Sequence, residues 1–166
     1  MKFPGISALT IAIGTMTCAL APIANAADKP AGRFTAELTF DAIDTAGKGY
    51  IHQGDLEEFR SNVFSSMDYD DSGKLTYQEF TAWDPGFSSI AEEDGKSEAY
   101  TTATKIVFAF WDRDGNGEIN EAEMRFAMNA DFRRADLDDN GTLSQSEFIG
   151  GFAVIVAMRA AIRPDL

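Results

Sequence analysis

One twelve-residue pattern occurs three times in the chain and constrains its fold more than any other feature. Each copy has oxygen-bearing side chains at positions 1, 3 and 5, glycine at position 6, an aliphatic residue at position 8 and glutamate at position 12. The copies read DYDDSGKLTYQE at 68–79, DRDGNGEINEAE at 112–123 and DLDDNGTLSQSE at 136–147. Single turns rich in Asp, Asn and Gly are common, but three full copies indicate that one loop structure is repeated.

The spacing of the oxygen atoms suits a cation. Calcium takes six to eight oxygen ligands at ~2.3–2.6 Å, and a short loop can surround it if alternate residues point inward. Glycine at position 6 permits the sharp turn that this requires, because it has no Cβ to clash. The three segments therefore resemble EF-hand calcium loops, and the resemblance extends over residues 33–163.

The resemblance implies a ligand set in each loop: side chains at positions 1, 3, 5 and 12 and the backbone carbonyl at position 7. Position 9 would act directly or through water. The implied metal-binding residues are Asp68, Asp70, Ser72, Lys74 and Glu79 in loop 2, Asp112, Asp114, Asn116, Glu118 and Glu123 in loop 3, and Asp136, Asp138, Asn140, Thr142 and Glu147 in loop 4. About three bound Ca²⁺ are expected.

A fourth copy, loop 1 at residues 44–55, is degenerate. Asp44 and Gly49 fit the pattern, but Ala46 removes the ligand at position 3 and Lys48 places a cation at position 5. Position 12 is Asp55, a shorter carboxylate. We expect a structural loop without metal, in which His52 at position 9 is an exposed loop residue.

The intervals between loops predict how the loops pair. Only twelve residues separate loop 1 from loop 2 and loop 3 from loop 4, which is room for one helix of about 18 Å. Loops that share a helix lie at its opposite ends and cannot touch. We therefore expect Leu75 to face Ile119 and Ile51 to face Leu143. This compressed spacing resembles bacterial periplasmic EF-hand proteins, including the lanthanide-binding lanmodulin family.

The apolar spacing predicts an all-α fold, an EF-hand helix bundle of four helix–loop–helix units with short β-contacts between paired loops. Between loops 2 and 3 we expect a break at residues 84–86 and a helix from Ser97, as N-cap, to Trp111. After loop 4 a long C-terminal helix is expected from Phe148, ending at Pro164.

The N-terminus has the features of a secretory signal peptide. Lys2 precedes an apolar stretch, and Ala24-Asn25-Ala26 supplies small residues for cleavage. We expect residues 1–26 to be removed, which discards Cys18, and residues 27–166 to form a single domain. The expected localisation is periplasmic or secreted, without membrane insertion after processing.

The net charge of −13 excludes two classes of partner, because nucleic acids and anionic membranes would repel it. Loops 2, 3 and 4 contain 13 of the 27 acidic residues, so almost half of this charge lies at the expected ion sites. The remaining sequence contains no nucleophile motif, His cluster or Cys after processing, and an enzyme is not expected.

Two functions follow from these loops. The first is a Ca²⁺ sensor or buffer, and the alternative is a lanthanide-binding periplasmic protein. The lanmodulin family has proline at position 2 and an acid at position 9, which these loops lack. A sensor exposes an apolar surface to a protein target when Ca²⁺ binds, and four methionines could contribute to one: Met67, Met124, Met128 and Met158. For the aromatic segment at residues 83–87, inward packing is favoured over a contact surface.

Overall fold

A computed structural model describes residues 31–162, which form eight helices and four short strands. The helices are Ala31–Ile43 (α1), Gln53–Met67 (α2), Tyr77–Ala82 (α3), Phe87–Glu93 (α4), Ser97–Trp111 (α5), Glu121–Ala135 (α6), Gln145–Gly151 (α7) and Ala153–Ile162 (α8). The strands are Tyr50–His52 (β1), Lys74–Thr76 (β2), Glu118–Asn120 (β3) and Thr142–Ser144 (β4). The expected all-α bundle of helix–loop–helix units is confirmed. The expected signal peptide and Pro164 lie outside the described residues.

Helices α2 and α6 each serve two loops, as the short intervals predict. Each has 15 residues, follows one loop and leads into the next. An apolar stripe of each helix faces the core, with buried side chains at Leu56, Val63, Phe64 and Met67 in α2 and at Met124, Ala127, Met128 and Phe132 in α6. Charges also join the two helices, because Glu57 of α2 accepts hydrogen bonds from Arg60 and, at 3.0 Å, from Arg125 of α6.

The four loops pair through two antiparallel ladders, β1 with β4 and β2 with β3. Ile51 lies opposite Leu143, and Leu75 lies opposite Ile119. The predicted pairing is confirmed. All four of these aliphatic side chains are 0 % exposed, so each ladder is closed by an apolar contact under the loops.

Three helices occupy the segment between loops 2 and 3. The predicted break separates α3 from α4, and Asp84 accepts hydrogen bonds there from the backbone N–H groups of Phe87 (3.1 Å) and Ser88 (3.0 Å). Phe87 is 1 % exposed and Trp83 is half-buried against Phe59, so the expected inward packing is confirmed. Helix α4 was not anticipated from the sequence.

Helix α5 has the predicted bounds, but Ser97 is not its N-cap. Ser97 is its first helical residue, and the N-cap is Lys96, whose side chain makes no capping hydrogen bond. The turn before it is closed by backbone contacts instead, including a 2.6 Å bond from the Lys96 N–H to the Ala91 carbonyl. A tight backbone connection from α4 thus replaces the side-chain cap that the serine suggested.

The expected long C-terminal helix is wrong: it is two helices, α7 and α8, bent by 66° at Phe152. Gly151 ends α7 where it crosses α6, and a Cβ there would lie 2.8 Å from the Cα of Ala135. The bend returns α8 to the core, where Arg159 donates a 3.0 Å hydrogen bond to the Ile149 carbonyl. Among residues 31–162 no single helix has the length and hydropathy to cross a membrane; α7 and α8 meet both criteria only as a bent pair.

Candidate metal centres

Three carboxylate clusters lie in loops 2, 3 and 4. In each, one oxygen atom from positions 1, 3 and 12 lies within 4.8 Å of the others. The clusters are Asp68, Asp70 and Glu79; Asp112, Asp114 and Glu123; and Asp136, Asp138 and Glu147. Oxygen ligands of one calcium ion are separated by up to about 5 Å, twice the ion–oxygen distance. The spacing of the oxygens therefore matches one calcium ion in each loop.

Short-range hydrogen bonds give each loop its shape. The carboxylate of Asp68 accepts from the backbone N–H groups of Ser72 (2.9 Å) and Gly73 (2.8 Å). Asp112 and Asp136 accept from the same two positions of their loops at 2.8–3.1 Å. Gly73 turns the chain with φ of 76°, in the left-handed region that glycine adopts freely. The position-1 aspartate thus closes the loop around the place where an ion would lie.

The position-12 glutamates are held by helix capping. Glu79 is the third residue of α3, and its Oε2 accepts from the Thr76 backbone N–H at 2.8 Å while the Thr76 hydroxyl accepts from the Glu79 N–H at 3.3 Å. Reciprocal caps of the same kind join Asn120 to Glu123 and Ser144 to Glu147. One carboxylate oxygen is therefore fixed by the cap, and the other remains for the cluster.

The second oxygen of Glu79 is suited to binding a cation. This residue is 1 % exposed, and its Oε1 has no hydrogen-bond partner within the described part of the chain. A buried carboxylate oxygen without a partner is destabilising, and a bound cation removes that cost. In loop 3 the equivalent Oε1 of Glu123 accepts from the backbone of Arg113 (3.0 Å), and in loop 4 that of Glu147 accepts from Leu137 (3.1 Å).

Positions 5 and 7 lie at the edge of each cluster. The Ser72 hydroxyl donates to the Lys74 carbonyl at 3.0 Å, which places the two implied ligand oxygens of loop 2 side by side. Asn116 and Asn140 accept through Oδ1 from the backbone N–H groups of Glu118 and Thr142, each at 2.8 Å. All fifteen residues implied by the pattern thus lie in three loops of one kind.

Hydrogen bonding keeps two of the clustered acids ionised. Ser72 lowers the pKa of Asp70, and the Ser144 hydroxyl lowers the pKa of Glu147. Both carboxylates are therefore anionic at neutral pH, which is the state that binds a metal ion.

Loop 1 has the same backbone frame without a carboxylate cluster within residues 31–162. Asp44 accepts from the N–H groups of Lys48 (3.0 Å) and Gly49 (2.6 Å), and the Lys48 ammonium forms an ion pair with Asp55. This pairing raises the pKa of Lys48 and lowers that of Asp55, so both remain charged. His52 is exposed and caps α2 by accepting from the Gly54 N–H at 3.2 Å, as expected for a loop residue.

One contact between loops was not anticipated from the sequence. The Lys74 ammonium lies 2.6 Å from the Glu118 carboxylate, joining the position-7 side chains of loops 2 and 3. The predicted facing of Leu75 and Ile119 already brings these positions close together. Their opposite charges were the signal that could have identified the pair.

An apolar cavity of about 80 Å³ lies in the core beneath the loops. Its lining includes every methionine of the described residues, namely Met67, Met124, Met128 and Met158. Each methionine is at most 6 % exposed. The cavity is far smaller than the roughly 300–1,000 Å³ of ligand pockets, so a partner could enter only after the helices move.

Paired helix–loop–helix units with carboxylate clusters of this geometry form an EF-hand fold, and Ca²⁺ is the ion that its loops bind. The family model described as EF hand matches residues 59–82 and 130–152, which include loops 2 and 4.

Curated relatives of the chain are troponin C proteins. Troponin C isoform 2 of Caenorhabditis elegans is 31 % identical over 113 residues, covering 61 % of this chain and 65 % of that protein. Isoform 2A of Homarus americanus is 28 % identical over 137 residues, covering 68 % and 89 %. Isoform 1 of Drosophila melanogaster is 28 % identical over 135 residues, covering 66 % and 84 %. The chain thus spans just under two thirds of the nematode protein and most of the two arthropod proteins.

Proposed function

We propose that this protein is a calcium sensor in which loops 2, 3 and 4 each bind one Ca²⁺ through the residues assigned above. One observation carries the proposal. Each position-12 glutamate is followed directly by a side chain that lines the apolar cavity: Phe80 after Glu79, Met124 after Glu123 and Phe148 after Glu147. When one of these glutamates moves to coordinate an ion, the neighbouring side chain that lines the cavity moves with it.

The coupling is mechanical because the glutamates are parts of helices. Glu79, Glu123 and Glu147 are the third residues of α3, α6 and α7. Packed helices move as units, so a shift at the first turn rotates the apolar face that the helix presents to the core. Opening the methionine-lined cavity in this way would create a surface for an apolar segment of a protein target. The troponin C relatives are consistent with this role.

Calcium should increase the exposure of apolar surface if the chain is a sensor. We expect a hydrophobic dye such as ANS to fluoresce several-fold more strongly with saturating Ca²⁺ than with chelator. Trp111 lines the cavity and precedes loop 3, so its emission should change over the same calcium range. Mg²⁺ at equal ionic strength is the control. Unchanged dye fluorescence with complete calcium binding would assign the protein as a buffer.

We propose that the loops prefer Ca²⁺ to lanthanide ions and that they serve binding, not catalysis. Each carboxylate cluster in residues 31–162 that could hold a metal ion belongs to one of the loops. A calcium ion bound in such a loop has no open coordination position for a substrate. Position 9 carries the neutral caps Thr76, Asn120 and Ser144, which add no charge for a trivalent ion. Competitive titration of Ca²⁺ against a light lanthanide, followed by emission sensitised by Trp111, checks this choice.

We also propose that the protein acts outside the cytoplasm, from the signal-peptide features of residues 1–26. Cleavage after Ala26 should leave a mature chain that begins at Ala27. Mass spectrometry of the protein secreted by, or released from the periplasm of, an expressing bacterium should give this N-terminus. A chain that retains Lys2 would contradict processing.

A further inference from the structure

Loop 1 has the shape of an ion-binding loop although it lacks the ligands. Its position-1 aspartate, Asp44, accepts from the N–H groups at positions 5 and 6, as Asp68 does in loop 2. Its position-12 carboxylate, Asp55, accepts from the His52 N–H at 2.8 Å, which matches the Thr76 to Glu79 bond. Gly49 turns the chain with φ of 81°. The frame of the loop is therefore intact.

A cation already joins the two sides of this frame. The ammonium of Lys48, at position 5, forms an ion pair with Asp55 at position 12, so it joins the two sides of the loop that a metal ion would join. Asp55 is one methylene shorter than the glutamates of the other loops. The longer lysine side chain spans the space that remains.

We propose that the Lys48 ammonium takes the place of a metal ion in loop 1 and, through the β1–β4 ladder, keeps loop 4 in its ion-binding shape. Loop 4 then binds Ca²⁺ as an independent site, whereas loops 2 and 3 bind it as a coupled pair. Lys48 is a positioning residue for a site to which it contributes no ligand. This inference rests on calcium binding by loops 2, 3 and 4, and it does not depend on opening of the cavity.

The β1–β4 ladder provides the path. Ile51 and Leu143, both 0 % exposed, face each other across it, and His52 lies opposite Thr142, the position-7 residue of loop 4. A loop ordered by its own ammonium fixes β1 before any ion binds. Loop 4 therefore loses less conformational freedom on binding Ca²⁺, and it needs no second ion to order its partner.

The pair of loops 2 and 3 differs from the pair of loops 1 and 4, because both of its members need a bound ion to become ordered. Each contains a full carboxylate cluster, and mutual repulsion of the acids disfavours the closed loop until a cation arrives. The β2–β3 ladder and the Lys74–Glu118 ion pair join them. When Ca²⁺ binds one loop, it orders that loop's strand and, through the ladder, the strand of the other loop. The second loop then loses less conformational freedom on binding, which gives positive cooperativity between the two sites.

The backbone amides of four glycines provide a separate NMR signal for each of the four loops. Gly49, Gly73, Gly117 and Gly141 each donate their backbone N–H to the position-1 aspartate of their own loop. Calcium titration of ¹⁵N-labelled full-length protein by NMR should show Gly141 following a single-site curve. Gly73 and Gly117 should shift together along a steeper curve, and Gly49 should shift least.

Replacing the ammonium should weaken loop 4 selectively. In Lys48→Met we expect the Gly141 midpoint to rise about 5- to 20-fold in calcium concentration, with the Gly73 and Gly117 midpoints unchanged. The direction is diagnostic, because removing a positive charge would by itself strengthen Ca²⁺ binding. Lys105→Met is the matched control: Lys105 is exposed on α5, and its loss changes the net charge equally. Lys48→Arg, which keeps a cation in loop 1, should restore most of the wild-type affinity.

Three results would overturn the inference. They are an unchanged or lower Gly141 midpoint in Lys48→Met, an equal rise in Lys105→Met, and cotitration of Gly141 with Gly73 and Gly117 in the wild type. A different result would contradict the sensor function, namely dye fluorescence that does not change with Ca²⁺. That result would not alter the calcium midpoints measured by NMR.

Discussion

Removing Ca²⁺ with a chelator should lower the Tm of the protein by roughly 15–30 °C relative to calcium at 100 times its Kd. Each site filled at this concentration contributes about 2.7 kcal/mol of stability, so three sites contribute about 8 kcal/mol. For a domain of this size, 1 kcal/mol corresponds to about 2–4 °C in Tm.

Scanning calorimetry with and without chelator measures this shift. The control replaces all three position-12 glutamates, Glu79, Glu123 and Glu147, by glutamine, and its Tm should be nearly the same in both conditions. Equal Tm values for the wild-type protein with and without saturating Ca²⁺ would contradict binding to the folded loops.

Loss of a single position-12 carboxylate should nearly abolish calcium binding at its loop. In Glu123→Gln we expect the affinity of loop 3 to fall about 30-fold or more, since removing one partner of a desolvated charge pair costs at least about 2 kcal/mol. The amide keeps an oxygen that can accept from Asn120, so the start of α6 should remain capped. Calorimetric titration should then find one site fewer than in the wild type, with loop 4 unchanged and loop 2 weakened because its coupled partner no longer fills.

Glu121→Gln is the matched control for this prediction. Glu121 lies in the same loop and loses the same charge, but its side chain is 54 % exposed and lies beside Arg125, outside the carboxylate cluster. We expect little change in the affinity of loop 3. Equal losses in the two variants would mean that the net charge of the loop, rather than a defined ligand, governs binding.

The sequence predicted the loops well because their structure is local. Asp68 and its backbone donors at Ser72 and Gly73 lie within six residues of one another, and the cap between Thr76 and Glu79 spans four. Pairing was also predictable, because a helix of fixed rise places loops 1 and 2 at its opposite ends. Ile51 and Leu143 then remained as the only available partners for each other.

Predictions were wrong where a distant contact decided the local structure. The apolar spacing after loop 4 favours one helix, but Gly151 crosses α6 at Ala135 and the chain bends at Phe152. Ser97 has the residue type of an N-cap, but the backbone bond from Lys96 to Ala91 closes that turn. In both cases tertiary packing overrode a local propensity.

By itself, the sequence determined where the loops lie, which carboxylates they cluster and the order in which loops pair, since these depend on ligand spacing over twelve residues and on helix length. Only the tertiary structure decided what lies next to those sites. It placed the residue after each position-12 glutamate in the wall of one methionine-lined cavity, and it put the Lys48 ammonium within reach of Asp55. The first arrangement joins helices far apart in the chain, and the second depends on the conformation of a long side chain, so neither can be deduced from residue spacing.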